Sequence, residues 1–229
     1  MSFPNLAENL RRVRDDIAQI QNTEGLRNDV RIVAVTKSHP ASAVHAARDA
    51  GLSEVGENRV QEAVEKQAET SGLDIHWHLI GHLQTNKAKM VPGAFVLVHS
   101  VDSWKVAEAL AEAATKKGTG RLAVLLQVNM AGEAQKSGCD PAAAGDLARR
   151  IVGEPSLELR GLMTMAPFTD DERIQRRVFA DARRLRDTLA SSGVALPELS
   201  MGMSGDYRSA VAEGATLLRL GTILFGERQ

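Results

Sequence analysis

Cysteine is nearly missing from this chain: Cys139 is the only one in 229 residues. One thiol can form no intrachain disulfide and build no cysteine zinc site, which fits a reducing compartment. Aromatic side chains make up 3% of the residues, with a single tyrosine, Tyr207. That scarcity argues against base-stacking platforms. A net charge of −1 removes the electrostatic case for nucleic acid or an anionic membrane as partner. No uninterrupted apolar run approaches the length of a membrane span, and "MSFPNLAENLRRVRDD" has no apolar signal-peptide core. Linkers rich in Pro, Ser or Gly are absent too, so a domain boundary has nowhere to sit. The expectation is a soluble cytoplasmic protein with residues 1–229 forming one domain.

What is present is a regular beat. Leu6, Leu10, Val13, Ile17 and Ile20 form one apolar stripe at helical spacing. Short apolar runs follow, and the spacing predicts strands at 31–37, 54–57, 76–81, 95–100, 122–129, 159–165, 198–203 and 217–221. Stretches rich in Ala, Glu, Lys and Arg separate them and predict helices at 41–50, 58–70, 83–90, 103–116, 141–152, 171–191 and 206–213. Strict strand–helix alternation with short joins implies parallel strands and right-handed crossovers. Eight strands favour an α/β single-domain (β/α)8 TIM barrel over the alternative, an open sheet of six or seven strands.

In such a barrel, functional groups collect where strands end. Lys37 ends "RIVAVTK", on the face shared by Val33 and Val35. A lysine there is either salt-bridged or an amine poised for Schiff-base chemistry. After the seventh and eighth strands, "GMSGD" and "LGT" present Ser204, Gly205, Gly221 and Thr222. Loops at these two strand ends, together with a helix N-terminus, frequently cradle phosphate. Arg219 sits two residues before Gly221 on the same strand face. It is either paired with a carboxylate or a permanent donor to a ring nitrogen in the lumen. A lysine amine, a lumenal arginine and a phosphate cradle on one rim add up to a pyridoxal 5′-phosphate site. His76 and His78 share a face, and His82 follows at the strand end, but no carboxylate is expected beside them, so no metal site is assigned. Cys139 and Lys136 receive no role; Lys136 in "QKSGC" could bind an anion or simply be solvated.

The ordered segments "VAVTKSHP", "GENRVQE", "WHLIGHLQTNKAK", "HSVDS", "LRGLMTMAP", "LSMGMSGDY" and "LRLGTILFG" resemble the pyridoxal phosphate homeostasis protein family, also called the YggS/PROSC family. The resemblance runs from about residue 5 to the C-terminus. It implies a barrel like the N-terminal domain of alanine racemase, with the cofactor held as an aldimine on Lys37. It further implies Asn58 beside the cofactor, Met201, Ser204, Gly221 and Thr222 around its phosphate, and Arg219 at the ring nitrogen. His82 and Met163 match motif positions as well.

Two functions compete: an amino-acid racemase or related enzyme, and a non-catalytic protein that holds the cofactor and hands it over. A plain structural barrel is the third. Racemisation needs acid–base groups on both faces of the α-carbon, and racemases of this fold draw the second from a tyrosine in an appended β-domain. The given sequence ends soon after Gly221, and Tyr207 follows the phosphate loop, at the wrong end of the cofactor. An arginine at the ring nitrogen also leaves the ring a weaker electron sink than a carboxylate would. The expectation is therefore a cofactor handler with no catalytic residue, monomeric, with apo pyridoxal-dependent enzymes as candidate clients.

Overall fold

The structure, a computed structural model, describes residues 3–133, 135 and 137–227. Lys136 lies outside them. Helix α1 (Leu6–Glu24) precedes eight strands: β1 (Arg31–Val35), β2 (Glu54–Glu57), β3 (His76–Leu79), β4 (Leu97–Val101), β5 (Leu122–Gln127), β6 (Leu157–Met163), β7 (Glu198–Ser200) and β8 (Leu217–Leu220). All neighbours are parallel, and β8 pairs back onto β1 through Arg31 and Leu217 to close the barrel. Between the strands run α2 (Ser42–Asp49), α3 (Val60–Glu69), α4 (Trp104–Lys117), α5 (Pro141–Val152), α6 (Glu172–Ser191), α7 (Tyr207–Ala212) and finally α8 (Thr222–Phe225).

The expected helix at 83–90 is instead a 3-10 helix, Thr85–Met90. Pro92, two residues on, has no amide hydrogen to continue a helix. β2 has the expected bounds, β4 and β6 are shifted by one to two residues, and the other strands end short of the expected ones.

The apolar pattern sorts residues into two layers. Leu6, Leu10, Val13 and Ile17 bury one face of α1, which packs on α7 and α8. Each such side chain contributes about 1.5–3 kcal/mol of transfer free energy. They join a continuous layer between sheet and helices that includes Ile32, Ala34, Val55, Leu79, Leu199, Met201, Leu218 and Leu220. Alternate residues point into the lumen, as period two requires. There the apolar filling is small: Val33, Leu97, Leu125, Met163 and Leu217. The rest of the lumen is polar, and that polar half becomes the site.

Close approach inside the sheet explains one glycine. A Cβ on Gly161 of β6 would lie 2.0 Å from the Glu198 carbonyl oxygen of β7. Gly161→Ala must therefore push two paired strands apart. Thermal unfolding should show a loss of about 1–3 kcal/mol, the usual cost of overpacking, or about 2–4 °C per kcal/mol at this chain length. An unchanged melting temperature would refute the close approach.

Candidate functional site

At the C-terminal end of the barrel a cavity of about 570 Å³ collects Lys37, Asn58, His82, Met163, Ser204, Arg219, Gly221 and Thr222. Eight of the nine residues expected at the site therefore meet. Met201 does not. Ser200 points inward, where its hydroxyl meets Arg219 and His99, so alternation turns Met201 outward into the layer beneath the helices.

Lys37 stands two residues beyond β1, in a turn closed by His39 N–H donating to the Thr36 carbonyl at 3.0 Å. Ser38, the next residue, takes a left-handed φ of 64°, a conformation that non-glycine residues enter at a cost. The turn is held from behind. Lys66 of α3 donates to the Thr36 carbonyl at 2.7 Å and to the Glu57 carboxylate at 2.6 Å, while the Thr36 hydroxyl donates to the same carboxylate oxygen at 2.6 Å. Thr36, Glu57 and Lys66 are all buried. Removing one partner of such a pair strands a buried charge, so the contact holds the strand end in place more than it adds net stability.

Arg219 of β8 is buried in the lumen. It donates to the Ser200 hydroxyl at 2.6 Å and to the Thr164 carbonyl at 2.9 Å, not to a carboxylate. Burial pulls its pKa down to about 10, partly opposed by the charge of Asp206. Across the rim, the Ser204 hydroxyl accepts from the backbone N–H groups of Gly221 (3.3 Å) and Ile223 (3.2 Å). The two amides converge on the Ser204 oxygen, whose own hydrogen is left to donate, and a Cβ on neighbouring Gly205 would meet no atom within 4 Å. That is room beside donors, the arrangement an anion needs. Asp206, the last residue of "GMSGD", turns back to accept from Met203 N–H and so stiffens this loop.

Beneath the cavity lies a chain of polar groups that sequence reasoning missed. His99 Nδ1 is 2.8 Å from Ser200 Oγ, His99 Nε2 is 2.8 Å from His78 Nδ1, and His78 Nε2 meets the Glu54 carboxylate. The expectation that no carboxylate stands by the histidines is corrected here: Glu54 contacts His78 closely, with His76 Nδ1 at 3.7 Å. β2 pairs with β3 so that Glu54 sits opposite His76, and that register was not visible in the sequence. Among the described residues no group of three or more His, Cys, Asp or Glu side chains is arranged to hold a metal. Glu54 is partly buried, which raises its pKa, but the hydrogen bond from His78 and, at the acid pH where the carboxyl titrates, the charges of His78, Arg31 and His76 win and bring it to about 2. Burial, then the fields of His78, Arg219 and Arg31, push His99 well below the ordinary histidine range.

Two remaining residues face elsewhere. Tyr207 donates its hydroxyl hydrogen to Asp16 of α1, outside the lumen. It borders a second cavity whose charged groups are largely paired with one another, as in Arg176–Glu24 and Arg208–Asp16. Cys139 is half-buried, and burial pushes its thiol up to about 11, so it stays protonated.

Residues 8–229 match the family model "Alanine racemase, N-terminal domain". The pyridoxal phosphate homeostasis protein of Pseudomonas aeruginosa is 44% identical over 224 residues, covering 97% of this chain and 96% of that protein. That of Escherichia coli is 37% identical over 231 residues, covering 98% and 97%. The chain belongs to the pyridoxal phosphate homeostasis protein family. Among solved structures, PipY of Synechococcus elongatus with PLP bound is 41% identical, with a TM-score of 0.85 over 96% of this chain and 100% of that one. An alanine racemase of Clostridium difficile, 17% identical, shares the barrel at a TM-score of 0.76. In this family member no helix among the described residues is long and apolar enough to cross a membrane.

The Glu54 shift carries a pH signature. A carboxyl whose folded pKa is depressed from 4.5 to about 2 adds stability above the unfolded value, and that stability is lost as pH falls through the folded value. Denaturant unfolding should find Glu54→Gln less stable than wild type at pH 6. The gap should shrink between pH 4.5 and about 2. A gap constant over that window would contradict the ionised pairing.

Proposed function

We propose that this chain binds pyridoxal 5′-phosphate in the cavity above Arg219 and serves its homeostasis in the cell, without substantial catalysis of its own. The observation that carries this reading is Arg219: a buried guanidinium with no ion pair among the described residues, on the same cavity as Lys37, Ser204, Gly221 and Thr222. The names of the family relatives and the PLP-bound PipY support it.

The residues fit the cofactor part by part. When bound, the group would supply an aldehyde, for which Lys37 is the amine at hand. Ser204, Thr222 and the backbone of Gly221 would hold the phosphate, where charge-assisted bonds are strong. Arg219 would donate to the ring nitrogen and disfavour a proton there, which limits the ring as an electron sink. Asn58, His82 and Met163 form the walls. His82 is well exposed, with Nδ1 3.9 Å from Asp102. Tyr207, tied to Asp16, is unavailable as a second acid–base group. In this reading the protein is a cytoplasmic monomer that delivers the cofactor to apo enzymes. A single cysteine suits a reducing compartment, and few large apolar side chains are exposed among the described residues.

Purified protein loaded with pyridoxal phosphate should absorb in the visible range, and borohydride should fix the cofactor to the peptide containing Lys37. Label confined to other lysines would sink the assignment. Ser204→Ala and Thr222→Val should each raise the dissociation constant about five- to hundredfold, the loss of one donor to a charged acceptor. Unchanged affinity in both variants would move the phosphate elsewhere.

Loaded protein should also restore an apo pyridoxal-dependent enzyme. Turnover of about 1–1000 per second on any amino acid would overturn the non-catalytic reading.

A further inference from the structure

The polar chain in the lumen has a direction. Arg219 can only donate, and an ionised Glu54 can only accept. Glu54 therefore takes the hydrogen of His78 Nε2. A neutral His78 then has a bare Nδ1, which accepts from His99 Nε2–H at 2.8 Å. His99 is left with a bare Nδ1, which accepts the Ser200 hydroxyl hydrogen at 2.8 Å. Ser200 Oγ in turn accepts from Arg219 Nη1 at 2.6 Å. With neutral imidazoles the reversed assignment would set a bare His78 Nε2 against the ionised Glu54 oxygen, and a mixed one would set two bare nitrogens, or two N–H groups, face to face at 2.8 Å.

The chain also has ends of opposite charge. Glu54 lies at the start of β2, near the N-terminal end of the barrel, where Arg31 Nη1 donates to it at 3.1 Å. Arg219 lies at the other end, under the cavity. Ser200, His99 and His78 are buried, with at most 1% exposure, so no water competes for these bonds. A buried polar set is costly unless every member is satisfied, and each member here has its partner. The apolar alternative was open, because Val33, Leu97, Leu125, Met163 and Leu217 fill the same lumen.

We propose that Glu54, His78, His99 and Ser200 are positioning residues for Arg219: a one-way hydrogen-bond chain, anchored on a carboxylate at the far end of the barrel, that decides which guanidinium N–H groups remain for the ring nitrogen of the cofactor. This rests on the cofactor reading given above. Nη1 is committed to Ser200 and Nη2 to the Thr164 carbonyl, so rotation of the guanidinium is locked, and its remaining hydrogens are presented to the cavity as a fixed set. Without the chain, Ser200 could turn its hydroxyl hydrogen toward any acceptor, and the lock on Nη1 would loosen.

Two measurements test this. In the protein without cofactor, nitrogen-15 NMR at about pH 8, above the ordinary histidine range, should show His78 and His99 both neutral with hydrogen on Nε2. Hydrogen on His99 Nδ1, or a charged His78, would overturn the direction of the chain. With ligand, the readout is the ratio of dissociation constants for pyridoxal 5′-phosphate and its analogue carrying C–H in place of the ring nitrogen. Wild type should prefer the natural cofactor about tenfold or more, the usual worth of a hydrogen bond to a charged group. Ser200→Ala and His99→Phe should bring that ratio close to one while leaving affinity for the analogue unchanged. A wild-type ratio in both variants would reduce the chain to packing and refute the proposal. Should a variant fail to fold, the NMR result on wild type decides. Failure of wild type to bind either ligand would instead refute the cofactor reading, which separates the two.

Discussion

A guanidinium closed inside a barrel has to be satisfied without water, and Arg219 sets that requirement for the lumen around it. Among the described residues no carboxylate is in contact with its charge. It is met by a hydroxyl and a backbone carbonyl, and the field of Asp206 acts on it with opposite sign. The hydroxyl must then be satisfied, which calls for His99, which calls for His78, which ends on Glu54. One buried cation thus converts half of the lumen from aliphatic packing to a polar network. A structure that only needed a stable barrel would gain from more residues like Leu97 and Leu125.

Lys37 is treated in a different way. It sits beyond its strand, on a turn with strained backbone at Ser38, and what restrains it comes from outside the barrel. Lys66 and Glu57 clamp Thr36 from the helix side, so the amine-bearing turn is fixed by one network and the guanidinium by another. The two meet only at the cavity. That division lets the lysine end remain reachable from the rim while the arginine stays sealed below. Under the proposed function, which requires a cofactor to be held and released, a rigid floor under an accessible lysine is a coherent design.

Much of the site was legible before any coordinates. Lys37, Arg219, Ser204, Gly221 and Thr222 stand at strand ends, and strand ends follow from apolar runs of period two. Asn58, His82 and Met163 came from motif resemblance and also line the cavity. Met201 came from resemblance too, yet period two along "LSMGM" already set it on the opposite face from Ser200. His99 was hidden for another reason. It opens the segment "HSVDS", to which no chemistry was assigned, and its partners are 21 and 101 residues away in sequence.

Local chemistry is what the sequence by itself determined: eight apolar runs with period-two faces, one helical stripe on α1, and polar or glycine residues after each run. Those properties depend on neighbours within a few positions, so they survive in a one-dimensional string. Which strand stands beside which, and in what register, was decided only by the closed barrel. Closure brought Glu54 opposite His76, Ser200 against Arg219, and Lys66 behind Thr36. Hydrogen bonds act over about 3 Å, so contacts between distant segments exist only once the sheet has closed.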